Sequence, residues 1–491
     1  MAEINYPLTD ENIEKIEPRF IQHFSKSEVG EDIHIVRELI HFKDGKTLDN
    51  LRIIKNYKRP FWITKPIFRN HKDRKESEDL KKVDKFYATQ SDLGKHISIR
   101  LGGKWSNITD LRRLRQSPYI YGIDVDSRVF LNYAYRKKYG EPTTPYRIGT
   151  FDIEVNILTN EIIIATFATY KSIHTFILKS FLKNIGDPIK RIKESYDKYI
   201  PEHSLGDLEL DIRIFDNELD LIKEIFKVAN DADIDFLAIW NLDYDIPTIV
   251  DKVEELGAKP EDIFHYYKIP EQYKYFKYKQ GKKQKVTESG RVIPINPEEQ
   301  WHTVKATTNF YIIDAMSSHR YVRVGGKNVP GGYSLDNILK HEGVAKKLKF
   351  DSDIGLEGRE WHIYMVENRP IEYVIYNIWD AMSMLELDKK TKDLTVSVPL
   401  LTGISHFDNF NSQPKRLVDD FLFFYLEKGR VLGSKPSEFD TDKLLGLDEW
   451  IVTMPGYRIM DNGVKIIKEM PDETTNIRFF VYDADRQLLS A

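Results

Sequence analysis

The run Phe151-Asp-Ile-Glu-Val155 sets two carboxylates two residues apart inside an apolar stretch, and no other pattern in the chain constrains the fold as much. Successive side chains of a strand point to opposite faces, so Asp152 and Glu154 share one face while Phe151, Ile153 and Val155 share the other. Unpaired carboxylates rarely turn into a core unless a metal or another cation compensates them. Asp-x-Glu alone is a weak pattern, because it recurs at Asp207-Leu-Glu209 and Asp216-Asn-Glu218. The second of these reads as a helix start, with Asp216 capping the amphipathic run Leu219 to Ala229. The first pair stands apart because a second apolar run, Ile162 to Ala168, follows it.

Two further carboxylates have comparable settings. Asp245 ends Phe236-Leu-Ala-Ile-Trp-Asn-Leu-Asp-Tyr-Asp245 just before Ile246 and Pro247, which reads as a strand feeding a helix. Asp380 follows Tyr376 by four residues in a predicted helix, Pro370 to Lys390, whose Val374, Ile378, Met382 and Leu385 form an apolar stripe. The i, i+4 spacing places the phenol and the carboxylate side by side. Four carboxylates from three settings suit a pair of divalent ions: Mg²⁺ or Mn²⁺ prefers hard oxygen ligands and uses carboxylates together with substrate phosphates. Two such ions about 3.5 to 4 Å apart can deprotonate a water on one side of a phosphate and stabilise the leaving alkoxide on the other. The set therefore suits phosphodiester hydrolysis, with the Tyr376 hydroxyl placed to orient the water.

At 491 residues the chain exceeds one ordinary core, and about two to four domains are expected. Cysteine is absent, so disulfides and cysteine-based zinc sites are excluded. No apolar stretch reaches membrane-spanning length and no signal-peptide pattern opens the chain, so a cytoplasmic setting is expected. Residues 1–145 read as an N-terminal region of mixed helix and strand. Residues 146–395 begin with three strand-like runs, Tyr146 to Val155, Glu161 to Tyr170 and Ile173 to Leu178, and continue with alternating helices and strands. That order suits a ribonuclease-H-like α/β core within an α+β multidomain chain. Residues 396–491 hold a predicted helix, Lys415 to Lys428, and a strand-rich end. Gly325-Gly-Lys and Pro330-Gly-Gly read as loop glycines, since the spacing of a phosphate-binding loop is missing.

A net charge of −4 does not by itself point to nucleic acid, but basic residues cluster locally. Lys55 to Lys85 holds eleven Lys/Arg against five Asp/Glu, interleaved with Tyr57, Phe61, Trp62 and Phe68. Nucleic-acid contact is one reading there; a solvated charged helix over Asp73 to Lys85 is the favoured one. Tyr273 to Lys285 is a second basic and aromatic stretch, with Gly281 placed to turn a hairpin. Tyr273 and Tyr275 could stack on bases while Lys277, Lys279 and Lys282 follow a phosphate backbone, or the stretch is an ordinary solvent-facing ribbon.

Phe151-Asp-Ile-Glu, Asn241-Leu-Asp-Tyr-Asp245 and Tyr376-Asn-Ile-Trp-Asp380, in this order, resemble the three exonuclease motifs of family B DNA polymerases, especially those of large bacteriophages. Tyr376 four residues before Asp380, with Ile375 where another branch carries His, resembles the tyrosine type of the four-carboxylate exonucleases. Phe310-Tyr-Ile-Ile-Asp314 and Tyr333-Ser-Leu-Asp336, with Lys349, are similar to the segment linking the second and third motifs. Ile477 to Leu489 resembles the start of the first palm motif, with Asp485 as its carboxylate. The resemblance implies a proofreading 3′→5′ exonuclease with Asp152, Glu154, Asp245, Tyr376 and Asp380 as catalytic residues and two Mg²⁺ or Mn²⁺ ions. Asn241 and Lys349 join the lysine-rich stretch as expected DNA contacts. The implied partners are a single-stranded 3′ end or primer-template, a C-terminal polymerase half and a replisome clamp, in a host cytoplasm if the chain is viral. Without that half, exonuclease activity without synthesis is expected, and the strand Arg478 to Asp483 is expected to be a sheet edge missing its neighbours. A free-standing nuclease acting on DNA or RNA and a non-enzymatic assembly module are the alternatives. The palm-like end argues against the first, and the completeness of the carboxylate set against the second.

Overall fold

A computed structural model describes residues 11–286, 291–323, 329–344, 348, 350, 355–356 and 358–434, together with the strand segments 464–465, 480–482 and 488–490. The chain is mixed α/β. Its central sheet has six strands: β1 (Ile148–Asn156), β2 (Glu161–Thr169), β3 (Ser172–Leu178), β4 (Glu209–Phe215), β5 (Phe236–Ile239) and β6 (Tyr311–Asp314), in the order β4-β3-β2-β1-β5-β6. The first three run antiparallel as a meander, β4 is parallel to β3, and β5 and β6 are parallel to β1. The three predicted runs thus form the expected strands to within two residues.

Helices cover both faces of this sheet. Helix α1 (Glu218–Asp231) sets Phe226 against Phe151, with ring centroids 6.0 Å apart, and so occupies the face of the odd-numbered β1 residues. After β5 the chain forms α2 (Leu242–Glu255), and later α3 (Pro370–Thr391), which packs across β1 and β2 on the even-numbered face. There Thr150 Oγ1 donates to the Ala381 carbonyl over 2.8 Å. The predicted stripe Val374, Ile378, Met382 and Leu385 is wholly buried. Asp152 and Glu154 therefore point beneath α3, toward its polar residues.

The N-terminal region contributes an antiparallel meander of Ile13–Phe24, Ile33–Phe42 and Thr47–Lys55 and a second sheet built on Arg59–Thr64. The helix Gln413–Glu427 and the strand Arg430–Leu432 return to this region: Leu422, Phe423 and Val431 share a core with Trp62, Val129 and Phe130. Arg430–Leu432 pairs with Ser77–Asp79.

Several expectations are corrected. Asp73 to Lys85 is not a helix. Ser77–Asp79 and Val83–Ala88 are strands joined by a short 3₁₀ turn, which Asp79 caps by accepting from the Lys81 N–H over 2.8 Å. Pairing with Arg59–Thr64 overrides the helical charge pattern. Gly281 turns no hairpin: Phe276–Lys279 pairs with Thr303–Ala306 and Gln284–Val286 with Val292–Pro294. A Cβ on Gly281 would sit 2.6 Å from the Trp301 nitrogen, so close backbone approach explains this glycine. The cap of α1 is Asn217, whose side chain accepts from the Asp220 N–H over 2.9 Å, rather than Asp216, which pairs with Lys179. Phe480–Tyr482 is the middle strand of three, between Val464–Lys465 and Leu488–Ser490, and so is not an edge. Asp485, Lys349 and Gly325 to Lys327 lie outside the described residues.

Candidate metal centre

The site forms where β5 stops. Ile239 pairs with Phe151, so β5 ends one residue short of Asp152, and the chain turns at Asn241 into α2. The expected strand through Asp245 is thus cut short. Asp245 lies in the first turn of α2, where the unpaired N–H groups of the helix end favour negative charge. On the sheet side, the pairing between β1 and β2 shifts register between Glu154 and Val155. Such an irregularity twists the strand and re-aims a side chain.

Asp152, Glu154 and Asp380 bring one carboxylate oxygen each to within 4.8 Å of one another. Glu154 is 8% exposed and Asp245 2%, while Asp152 and Asp380 are half-buried. Burial, then the charges of Asp380, Asp245 and Glu154, push the Asp152 carboxyl well above the usual range. Burial and the Asp380 charge raise Glu154 to about 8 against the donation from Tyr373, and burial with the Glu154 charge raises Asp245. Asp245, the fourth expected ligand, is not in this group of three and meets it through charge: it raises Asp152 and is raised by Glu154.

Hydrogen bonds fix two of the carboxylates. Asn377 Nδ2 donates to Asp152 Oδ2 over 2.7 Å, and Tyr373 donates its hydroxyl to Glu154 Oε2 over 2.5 Å. With its proton committed to Glu154, Tyr373 accepts from His362 Nδ1, 2.7 Å away. Burial lowers the His362 pKa, so a neutral imidazole stands 3.8 Å from Glu154. Tyr376 lies parallel to Tyr373, centroids 6.1 Å apart, with Trp361 edge-on to it at 5.0 Å. The Asp380 charge is the largest influence on the Tyr376 hydroxyl and raises its pKa, as the i, i+4 spacing requires.

Hard divalent cations fit this donor set. Among the described residues its ligands are all carboxylate oxygens, no cationic side chain is prominent among the influences on Asp152, Glu154 or Asp245, and Asp245 Oδ2 is buried without a hydrogen-bond partner. Asp152, Glu154 and Asp380 could hold a metal ion directly.

The expected DNA contacts divide. Asn241 is exposed at the start of α2, and Tyr244, which the sequence reading passed over, stands 55% exposed directly before Asp245. Lys277, Lys279 and Lys282 are exposed. Tyr273 is 1% exposed and donates to Glu31, and Tyr275 packs edge-on to Phe24 at 5.7 Å. Tyr273 is corrected from a stacking position to the core, because it packs among Phe20, Phe24, Ile33 and Ile35. Tyr373 and Asn377 were also passed over, although Tyr373, Tyr376, Asn377 and Asp380 form one helical i, i+3, i+4, i+7 series. No known family model matches the sequence, and no curated protein proved similar to it.

Proposed function

We propose that this chain carries a two-metal 3′→5′ exonuclease, on a ribonuclease-H-like core, of the kind that proofreads for family B DNA polymerases. One observation carries the reading: three carboxylates converge within 4.8 Å beneath α3, with buried Asp245 coupled to them electrostatically. The sheet supports the fold assignment, since an antiparallel meander is followed by two strands parallel to its first. The wider polymerase assignment, with its primer-template and C-terminal partner, is supported by the motif order in the sequence.

Bound at these carboxylates, divalent ions would supply a deprotonated water and charge stabilisation of the leaving 3′ oxygen. The residues set the geometry. Asn377 and Tyr373 hold Asp152 and Glu154 in fixed orientations, so little rearrangement is needed when ligands bind. Tyr376, beside Asp380, keeps its proton at neutral pH and can orient a water by donating to it or accepting from it. The exposed Tyr244 ring offers a face for the terminal base.

Incubation with 5′-labelled single-stranded DNA and Mg²⁺ tests the reading. Stepwise shortening from the 3′ end with release of nucleoside 5′-monophosphates is expected. Asp152→Ala or Asp245→Ala should remove most of the activity, and Tyr376→Phe should slow it on the order of 10²-fold. Cleavage of closed circular single strands would overturn the assignment.

A further inference from the structure

The basic stretch that the sequence suggested as a charged helix instead builds one wall of a groove of about 570 Å³. The wall comes from Arg59–Thr64 and Val83–Ala88, and the other side from the helices Ser127–Tyr139 and Gln413–Glu427. Trp62, Phe130 and Phe423 form a buried floor. Tyr57 and Tyr133 are half-buried in the lining, and Tyr87 is 52% exposed.

Three exposed lysines stand among these rings. Lys85 Nζ lies 5.1 Å from the Tyr87 ring centroid and 5.7 Å from that of Trp62, and Lys137 Nζ lies 6.0 Å from that of Tyr133. Lys58 is the third. Among the described residues none of the three forms an ion pair with a carboxylate, and Glu427 is the only acidic residue in the lining.

Lysines without ion pairs, set around the exposed Tyr87 ring, the half-buried Tyr57 and the half-buried Tyr133, one face of which stacks on Phe423 at 3.9 Å, suit a ligand that alternates negative charge with flat apolar surface. An apolar partner would leave the lysines unsatisfied, and a paired duplex hides its base faces from the rings. We infer that this groove binds single-stranded nucleic acid, with bases on Tyr87, Tyr57 and Tyr133 and phosphates on Lys58, Lys85 and Lys137. The site is made of other residues than the carboxylate cluster and stands whether or not that cluster hydrolyses DNA.

Fluorescence anisotropy with oligo(dT) and oligo(rU), over a range of salt concentrations and in the presence of a chelator, tests the inference without hydrolysis. The triple variant Lys58→Ala, Lys85→Ala, Lys137→Ala should reduce the slope of log affinity against log salt by about 2, from about 0.7 per lost phosphate contact. Tyr87→Ala should weaken binding about tenfold with the slope unchanged, and Tyr87→Trp should restore it. Binding of either oligonucleotide supports the site, and a difference between them reports the 2′-hydroxyl and the thymine methyl together. Unchanged affinity and slope in both variants, with unaltered thermal unfolding, would overturn it. So would tighter binding of an acidic Glu/Tyr peptide than of either oligonucleotide, which would assign the groove to a protein partner.

Discussion

At the residue scale, two of the clustered carboxylates are held by side chains that are not themselves carboxylates. Tyr373 and Asn377 each hold one carboxylate, and outer hydrogen-bond partners of this kind are typically worth about 10- to 100-fold in metal affinity. Tyr373→Phe and Asn377→Ala should each weaken Mn²⁺ binding in that range, read by electron paramagnetic resonance titration. Unchanged affinity would show that packing alone sets the carboxylates. Protonation gives a second test. Glu154 rises from an ordinary 4.5 to about 8, so between these values the folded protein holds a proton that the unfolded chain has lost. The stability this contributes is fully present below pH 4.5 and is lost as pH rises through 8. Asp314 and Asp419, each raised to about 7 by burial, act in the same direction. Buried His34, lowered to about 3, and His406, lowered to about 4, act oppositely, losing stability as pH falls below 6.5. From pH 6.5 to 8, then, these carboxyls dominate. The urea midpoint in chelator should fall across that window, and saturating Mg²⁺ should flatten the part due to the cluster. A metal-independent profile would place the titration elsewhere.

At the scale of elements, the sequence is most informative where one periodicity dominates. The alternation in Phe151 to Val155 and the stripe of Val374, Ile378, Met382 and Leu385 give β1 and α3 almost to their ends, because each buries a continuous apolar face. The convergence of Asp152, Glu154 and Asp380 follows from those two elements packing together. Elements decided by long-range partners were less legible. Val83–Ala88 is a strand because Arg59–Thr64 offers an edge from another part of the sequence. The sequence around Tyr273 looks like a surface stretch because its lysine neighbours mask the apolar surface it meets on Phe20 and Phe24, about 250 residues earlier. Tyr373 was legible in principle from its helical spacing, but its partner His362 lies on a separate helix, Gly358–Asn368, and no local pattern predicts that contact.

At the scale of the whole molecule, one buried carboxylate joins the N-terminal meander to the central sheet. Asp235, directly before β5, accepts from Arg19 over 2.7 Å, from Arg37, and from the backbone N–H of Arg147 over 2.7 Å. Asp235 is fully buried, and Arg19 and Arg37 are 1% and 3% exposed, each on a different strand of the meander. Burial lowers the Arg37 pKa to about 10, so the guanidinium stays charged at neutral pH. Arg19 also donates to the carbonyls of Thr144 and Pro145 and lies over the Tyr146 ring at 4.0 Å, which fixes the crossing from one region to the next. Without Asp235, Arg19 keeps Glu17 at 3.3 Å and Arg37 keeps only Asp49 at 3.9 Å, so two buried guanidinium groups lose their nearest carboxylate, a loss of about 3 to 5 kcal/mol. Asp235→Ala should therefore lower stability by that amount in urea denaturation. Asp235→Asn, which keeps one acceptor oxygen but loses the charge and the second acceptor, should fall between it and the parent. Because the chain leads from β5 to Asp245, loosening Asp235 should also weaken Mn²⁺ binding at the far end of that strand. If Asp235→Ala destabilises the protein and Mn²⁺ affinity stays at the parent value, the meander supports the core without bearing on the site.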